Sequence, residues 1–412
     1  MENVVVIGAG QAGLAVSFFL KRAEVRHVVL ERGEIGETWR SQRWDSFRFN
    51  TPNAATVMPG CAYAGSEPDG FMTQAAFVDL LERFAARHQL PVVVGTNVTS
   101  VDAPTVAGPF EVVTTKGTLV AATLVLAGGS QNCAKVPALS RSLPAALTQL
   151  HAGAYRTASR LPRGAVLVVG SGSSGGQIAE DLIDSGRTVL LSTSRVPSFP
   201  RRYRGRDIID WFAETGRLAE RLEDVGVTAA RAPQPLLSGT RGGHTLNLRS
   251  LHDRGVILLG RLVAIDGDKL TFDDSVAANV RFGDDAAMSA KENIDKFIAS
   301  RGLHAPNADH QWDPSEATVD QPECIGATTI DAAQMGISTV IWCTGFGADY
   351  SWIDLPIFDA SGQPKHKRGI TDRRGVYITG LPWLSARRSG LVVGAEDDAR
   401  YIVASILSTI RA

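Results

Sequence analysis

Two stretches of this chain share one pattern: an apolar run, then Gly-x-Gly-x-x-Gly, then residues of helical pattern. In the first, Val4-Val5-Val6-Ile7 leads into Gly8-Ala9-Gly10-Gln11-Ala12-Gly13, and a helical pattern runs through Leu20. In the second, Ala165-Val166-Leu167-Val168-Val169 leads into Gly170-Ser171-Gly172-Ser173-Ser174-Gly175, and Gln177 to Ile183 continues as a helix. A short continuous apolar run suits a parallel strand buried on both faces. The first glycine permits the tight turn, the second lets the backbone approach a pyrophosphate, and the third lets the helix pack on the strand. The helix N-terminus then offers free N–H groups and a positive dipole end to the phosphates. Each stretch is therefore a dinucleotide-binding fingerprint in its strand–turn–helix context. The expected fold class is α/β, with two Rossmann-like dinucleotide-binding domains.

The end of the second strand in each unit separates the two ligands. The strand His27-Val28-Val29-Leu30 ends in Glu31, twenty-three residues after Gly8. That is the place of an acid that bonds ribose hydroxyls. The corresponding strand Thr188-Val189-Leu190-Leu191 runs into Ser192-Thr193-Ser194-Arg195, with no carboxylate. An acid there would repel the 2′-phosphate of NADP, whereas Arg195 and the small hydroxyls of Ser194 and its neighbours favour it. Arg201, Arg202 and Arg204 come next in the chain and offer further charge. The first site is read as holding FAD and the second NADPH. A single-cofactor dehydrogenase needs one fingerprint; two suggest that a hydride passes from nicotinamide to a bound flavin.

A length of 412 residues suits two domains of ordinary size. The net charge of -1 draws the chain neither to nucleic acid nor to an anionic membrane surface. Cys61, Cys133, Cys324 and Cys343 form no CxxC and no metal-ligand spacing. This argues against a redox-active Cys pair of the thioredoxin-reductase kind, and a reduced, cytoplasmic setting is expected. Val4 to Leu20 has no basic segment before it and contains three glycines, so it reads as strand, turn and helix and not as a signal or anchor. No metal site is expected; His244 and His252 lack a ligand spacing.

Phe77 to Arg87 reads as an amphipathic helix. Pro91 to Val94 leads to Thr96-Asn97-Val98, expected as a strand end with Val98 against an adenine. Phe110 to Val113 and Thr118 to Val120 suggest a hairpin. Leu124 to Gly129 and Thr339 to Gly345 are buried strands with small residues at their ends, where the chain crosses closely between two nucleotide sites. Gly128, Thr344 and Gly345 are expected at those crossings. Asp284 to Ser300 has helical composition, and Leu303 to Gln321 suggests a long surface loop. The strand Gly375 to Gly380 and a last helix from Ala395 to Ile410 return the chain to the first domain. The expected division is 1–158 with 347–412 for FAD and an inserted 159–346 for NADPH.

Taken together these residues resemble the flavin-containing monooxygenase group, the class B flavoprotein monooxygenases, in the bacterial CzcO-like branch also labelled as potassium-transport flavoproteins. Glu37-Thr38-Trp39-Arg40, Arg43-Trp44-Asp45-Ser46-Phe47, Phe49-Asn50-Thr51-Pro52-Asn53 and Met58-Pro59-Gly60 resemble that group's segment running past the flavin. Cys343-Thr344-Gly345-Phe346, Gly380-Leu381-Pro382-Trp383 and Arg387-Arg388-Ser389-Gly390-Leu391 continue the match. Of the group's signature FxGxxxHxxx plus aromatic, His151 and Tyr155 are kept, while Ala145 and Leu147 replace the Phe and first Gly.

The resemblance implies an NADPH- and O2-dependent flavoprotein monooxygenase acting on a small organic molecule through a flavin C4a-hydroperoxide, at N or S in preference to ketone insertion. Alternatives are an NADPH-dependent oxidase or reductase producing peroxide, and a non-catalytic redox sensor. Thr38, Trp39, Arg40, Gly380 and Leu391 are expected at the flavin, and Trp44 and Trp383 are candidates to pack on it. Asn53, or else Asn50, is the candidate to hold the peroxide proton. Arg387 and Arg388 are candidates to balance reduced flavin or hold NADP+. The last helix would point its N-terminus at the flavin pyrimidine, with the side chains of Glu396, Asp397 and Asp398 facing away.

Overall fold

The first apolar run forms the strand Glu2–Ile7, paired in parallel with His27–Leu30 on one side and Gly117–Leu126 on the other. Val4, Val5 and Val6 are fully buried, as a strand covered on both faces requires. These elements belong to a computed structural model that describes residues 2–105, 108–230, 232–308 and 326–411. The strands of this sheet run Ile353–Asp354, Val98–Asp102, Phe110–Thr114, Gly117–Leu126, Glu2–Ile7, His27–Leu30 and Val92–Val93. Val376–Ile378, near the end of the chain, pairs in parallel with Gly117–Leu126. The helices Gln11–Arg22 and Ala395–Arg411 share one hydrophobic core on the sheet. Val98 begins a strand and does not end one, a correction to the expectation. It pairs with Thr114 of the hairpin Phe110–Thr114 and Gly117–Leu126.

The second apolar run repeats the plan. Ala165–Val169 lies in a five-stranded sheet of order Ile257–Leu259, Val189–Ser192, Ala165–Val169, Ile337–Trp342, Thr148–His151. Every pairing in it is parallel. Thr148–His151 precedes the expected division at 158 yet is hydrogen-bonded into this second sheet. The helical pattern expected over 284–300 extends to Val276–Arg301 and stops at Gly302 in the left-handed region. Of the loop expected over 303–321, the part from 309 lies outside the described residues, as does Cys324.

The chain passes between the sheets twice, side by side. Cys133–Ala134 pairs antiparallel with Phe346–Gly347. Across the seam, Asn50 accepts from the second unit on two atoms: its carbonyl from Arg201 at 2.8 Å and its Oδ1 from Gln177 at 2.7 Å. A Cβ on Gly239 would stand 2.0 Å from the Phe49 carbonyl oxygen, so only glycine permits this approach. Among the described residues no helix is long and apolar enough to cross a membrane.

Candidate active site

The two turns are near-copies in their packing. Gly8 has φ +112° and Gly170 has φ +101°, a region L side chains avoid. A Cβ on either would stand 2.6 Å from a carbonyl oxygen, of Ala127 or of Cys343, at the end of the neighbouring strand. A Cβ on Gly13 or Gly175 would fall 1.9 or 1.8 Å from the carbonyl oxygen of its own turn's first glycine. Gly10 and Gly172 differ: a Cβ there meets no protein atom within 4 Å. The outer glycines are thus required by the protein's own packing. The middle ones open each helix N-terminus to a close-approaching group, which fits a pyrophosphate.

Around the first turn, the buried Glu31 carboxylate accepts the N–H of Ala9 at 2.8 Å and of Gly33 at 3.1 Å. It fixes the turn to the second strand's end and keeps lone pairs for further donors. The short helix Glu37–Ser41, carrying Thr38, Trp39 and Arg40, is held to this turn by the Gly36 N–H on the Ala9 carbonyl. Trp39 donates from Nε1 to Gln11 Oε1 at 3.1 Å and packs on Phe49, Phe77 and the Arg43 guanidinium. Arg40 turns away to pair with Glu82. Trp44 is a core residue against Phe47. Gly128 comes after Ala127 at the close approach to Gly8. A cleft beside the turn is lined by Gln11, Ala12, Thr379, Gly380, Leu391 and Asp398.

Around the second turn, Gly170 N–H bonds the Ser192 carbonyl just as Gly8 N–H bonds that of Leu30. Thr193 therefore holds the position of Glu31, a match that spacing alone left between several residues. Thr193 is buried, donating to the Leu259 carbonyl and accepting from Asn279 Nδ2 at 3.0 Å. Ser194 N–H donates to Ser171 Oγ at 2.9 Å. Ser173 donates to the Pro235 carbonyl, and Ser174 lies beside it in the first helical turn.

The basic residues do not share one role. Arg201 is fully buried in a bidentate pair with Asp207. Arg204 pairs with Asp295. Arg202, expected at the phosphate, gives its guanidinium to the carbonyls of Gly243 and Gly242. Arg201 and Arg204 are thus neutralised within the protein, whereas Arg202 is anchored through two of its five N–H donors on neutral carbonyls. Arg195 is exposed, has no ion pair among the described residues, and lies over the Phe282 ring at 5.6 Å.

Thr344 donates to the Lys135 carbonyl, and Gly345 accepts from His151 Nε2 at 2.9 Å. Because His151 Nδ1 accepts the Gly153 N–H, Nε2 carries the proton and the ring serves as a structural link between strand and crossing. Tyr155 donates to Asp181 at 2.5 Å.

Asn53 is 5 % exposed; its Nδ2 donates to the Glu67 carbonyl at 2.8 Å, and its Oδ1 has no partner among the described residues. Arg387 is corrected: Nε donates to Glu220 at 2.8 Å over the Trp383 ring, so its charge is taken at the seam. Arg388 pairs with Asp397, and Arg400 with Glu396. Asp398 does not face away as expected. It is 3 % exposed and accepts from Ser385 Oγ at 2.5 Å and Ser389 Oγ at 3.1 Å. Its orientation was illegible in a run of three acids, although the helical period places it one turn from Ala395 on the core face.

Residues 5–207 match the family described as pyridine nucleotide-disulphide oxidoreductase. An uncharacterized CzcO-like oxidoreductase of Geobacillus kaustophilus is 30% identical over 410 residues, 98% of each chain. The indole-3-pyruvate monooxygenase YUCCA8 of Oryza sativa subsp. japonica is 28% identical over 216 residues, 50% of this chain and 51% of that one. Among solved structures, a flavin-containing monooxygenase from Stenotrophomonas maltophilia superposes with a TM-score of 0.69 at 20% identity, covering 99% of both chains. The two-turn fold is that of an oxidoreductase with paired dinucleotide sites. The chain belongs to the CzcO-like oxidoreductase family.

Proposed function

We propose that this protein is an NADPH- and O2-dependent flavoprotein monooxygenase that oxygenates a small organic molecule at nitrogen or sulfur. FAD is assigned to the first sheet and its Gly8 turn, with Glu31 toward the adenosine ribose. NADPH is assigned to the inserted sheet and its Gly170 turn, with Arg195 toward the 2′-phosphate. The observation that carries this reading is the pair of like-built turns that differ at one register position, carboxylate in one and hydroxyl in the other. When bound and reduced, FAD supplies the activation of O2 for transfer of one oxygen atom. The protein's own residues bind, orient and exclude water. Trp39 buttresses Gln11 at the first turn. Asn53 brings a buried carbonyl oxygen with unused acceptor capacity, suited to holding a proton in a dry site. The similarity of half of this chain to an indole-3-pyruvate monooxygenase supports the monooxygenase part of this reading.

The test is to supply NADPH and isotope-labelled O2 with a panel of amines, sulfides and ketones. Labelled oxygen in an amine or sulfide product supports the proposal. Stoichiometric hydrogen peroxide with every candidate would replace it with an NADPH oxidase. Label entering only ketones would move the reaction to ester formation.

A further inference from the structure

Three acids open the last helix, Ala395–Arg411, and two are neutralised on its outer side: Glu396 by Arg400 and Asp397 by Arg388. Asp398 alone turns inward. It lines the cleft that begins at Gln11 and Ala12 of the first turn. Beside it Thr379, 1 % exposed and also in the lining, carries a buried hydroxyl with no partner among the described residues. Among the described residues no basic side chain is hydrogen-bonded to Asp398; its partners are the hydroxyls of Ser385 and Ser389. The charged groups acting on it are Asp397 from its own helix and Arg368, which stacks on Tyr401 at 3.8 Å. Arg387 of the facing loop is spent on Glu220.

We propose that Asp398 is the proton acceptor linked to flavin reduction: it is ionised while the flavin is oxidised and takes a proton from solvent when the flavin gains negative charge. This rests on the assignment of FAD to the first turn. Two electrons and one proton reach the flavin as the hydride of NADPH, giving NADP+ and anionic reduced flavin. A separate solvent proton neutralises the carboxylate. Burial already holds the Asp398 carboxyl above the usual carboxylate range, and a new anion in the same cleft raises it further. Both serine hydroxyls donate to Oδ1 of the carboxylate, and that of Ser385 can turn to accept from the carboxylic acid, whereas Ser389 Oγ already accepts the N–H groups of Ser385 and Ala386. Asp398 is thus a positioning and charge-balancing residue, taking the place first given to Arg387.

The experiment reduces the FAD-loaded protein with NADPH anaerobically, in weak buffer, and counts protons taken up per flavin with an indicator dye. The wild type is expected to take up one proton more than Asp398→Asn. The reduced-minus-oxidised infrared spectrum of the wild type is expected to gain a protonated-carboxyl band that the variant lacks. Equal proton counts, or no carboxyl band in the wild type, would overturn the proposal. If Asp398→Asn fails to hold flavin, the wild-type infrared spectrum decides alone. A chain that binds no FAD overturns the functional reading itself, whereas bound FAD with equal counts overturns only the role of Asp398.

Discussion

Glu31 and Thr193 stand at one register position in the two halves of the molecule, each directly after the residue whose carbonyl accepts the first glycine's N–H. The carboxylate at one and the hydroxyl at the other are the difference on which the proposed assignment of the two ligands rests. Arg195, two residues beyond Thr193, is exposed and has no ion pair among the described residues. Arg195→Ala is expected to raise the KM for NADPH about ten- to a hundredfold while leaving NADH nearly unchanged, as loss of a charge-assisted contact of roughly 1.5–3 kcal/mol requires. Steady-state kinetics with both nucleotides check this; an unchanged preference would remove Arg195 from the phosphate site.

The glycines of one turn should fail in different ways. A Cβ on Gly13 would lie 1.9 Å from the Gly8 carbonyl oxygen, whereas one on Gly10 meets no protein atom within 4 Å. Gly13→Ala is expected to lower the Tm of the protein with or without flavin. Gly10→Val is expected to leave the flavin-free protein folded and to abolish FAD retention. Circular dichroism melting and the flavin content of purified protein read the two effects separately. Intact FAD binding in Gly10→Val would place the pyrophosphate elsewhere.

Asn53 carries the prediction about coupling. On the proposed role, removing its Oδ1, which has no partner among the described residues, should leave NADPH-driven flavin reduction within about twofold and divert electrons from product to hydrogen peroxide. Asn53→Asp keeps an acceptor and is expected to be less uncoupled than Asn53→Ala. Peroxide and product measured together check the ratio. Unchanged coupling in Asn53→Ala would leave Asn53 as a turn residue holding the Glu67 carbonyl.

A pH dependence of stability is built around Glu180, 2 % exposed on the helix Ser173–Asp184. It accepts from His244, Arg241, Arg254 and Thr240. Burial pushes the Glu180 carboxyl up, but the hydrogen bonds and charges of His244, Thr240 and Arg241 hold it below its ordinary range. Burial pulls His244 down, but its contact with Glu180 at 2.7 Å wins and raises it. The His244 contribution is therefore full below its unfolded pKa and is lost as pH rises through the higher folded value. The Glu180 contribution is full above its unfolded pKa and is lost as pH falls through the lower folded value. His244→Ala is expected to cost about 1.5–3 kcal/mol below neutral pH and little once the imidazole is neutral. Denaturant unfolding at several pH values tests it; a cost independent of pH would show that packing, not the charge pair, is lost.

The fold was legible because its determinants are local in sequence. The glycine spacing after each apolar run dictates the turn, and the return strand and helix after Gly375 are periodic enough to read. The site was legible only where backbone does the work, at Gly8, Gly10 and Gly13 and their counterparts. Side chains were harder. Arg201, Arg202 and Arg204 looked like one basic patch, but their partners Asp207, Gly243 and Asp295 come from elsewhere in the chain or from a short hairpin that spacing does not reveal. Arg387 looked like a flavin ligand until its partner Glu220, far earlier in sequence, was in view. Thr148–His151 joined the second sheet because the edge of Ile337–Trp342 offered an unpaired ladder, a demand that exists only in three dimensions.

The paired crossings at Cys133–Ala134 and Phe346–Gly347 bear on how such a molecule can be varied. The chain leaves the first sheet and re-enters it at residues already hydrogen-bonded to each other, Lys135 N–H meeting the Gly345 carbonyl at 3.1 Å. On the proposed assignment everything between is a cassette whose two ends coincide, so exchanging it is expected to change the nucleotide partner without altering the closure entropy of the flanking sheet. Module exchange at such a splice point would have to carry the seam contacts as well, among them a glycine to face Phe49, an Arg–Gln pair to donate to Asn50 and an acid to meet Arg387.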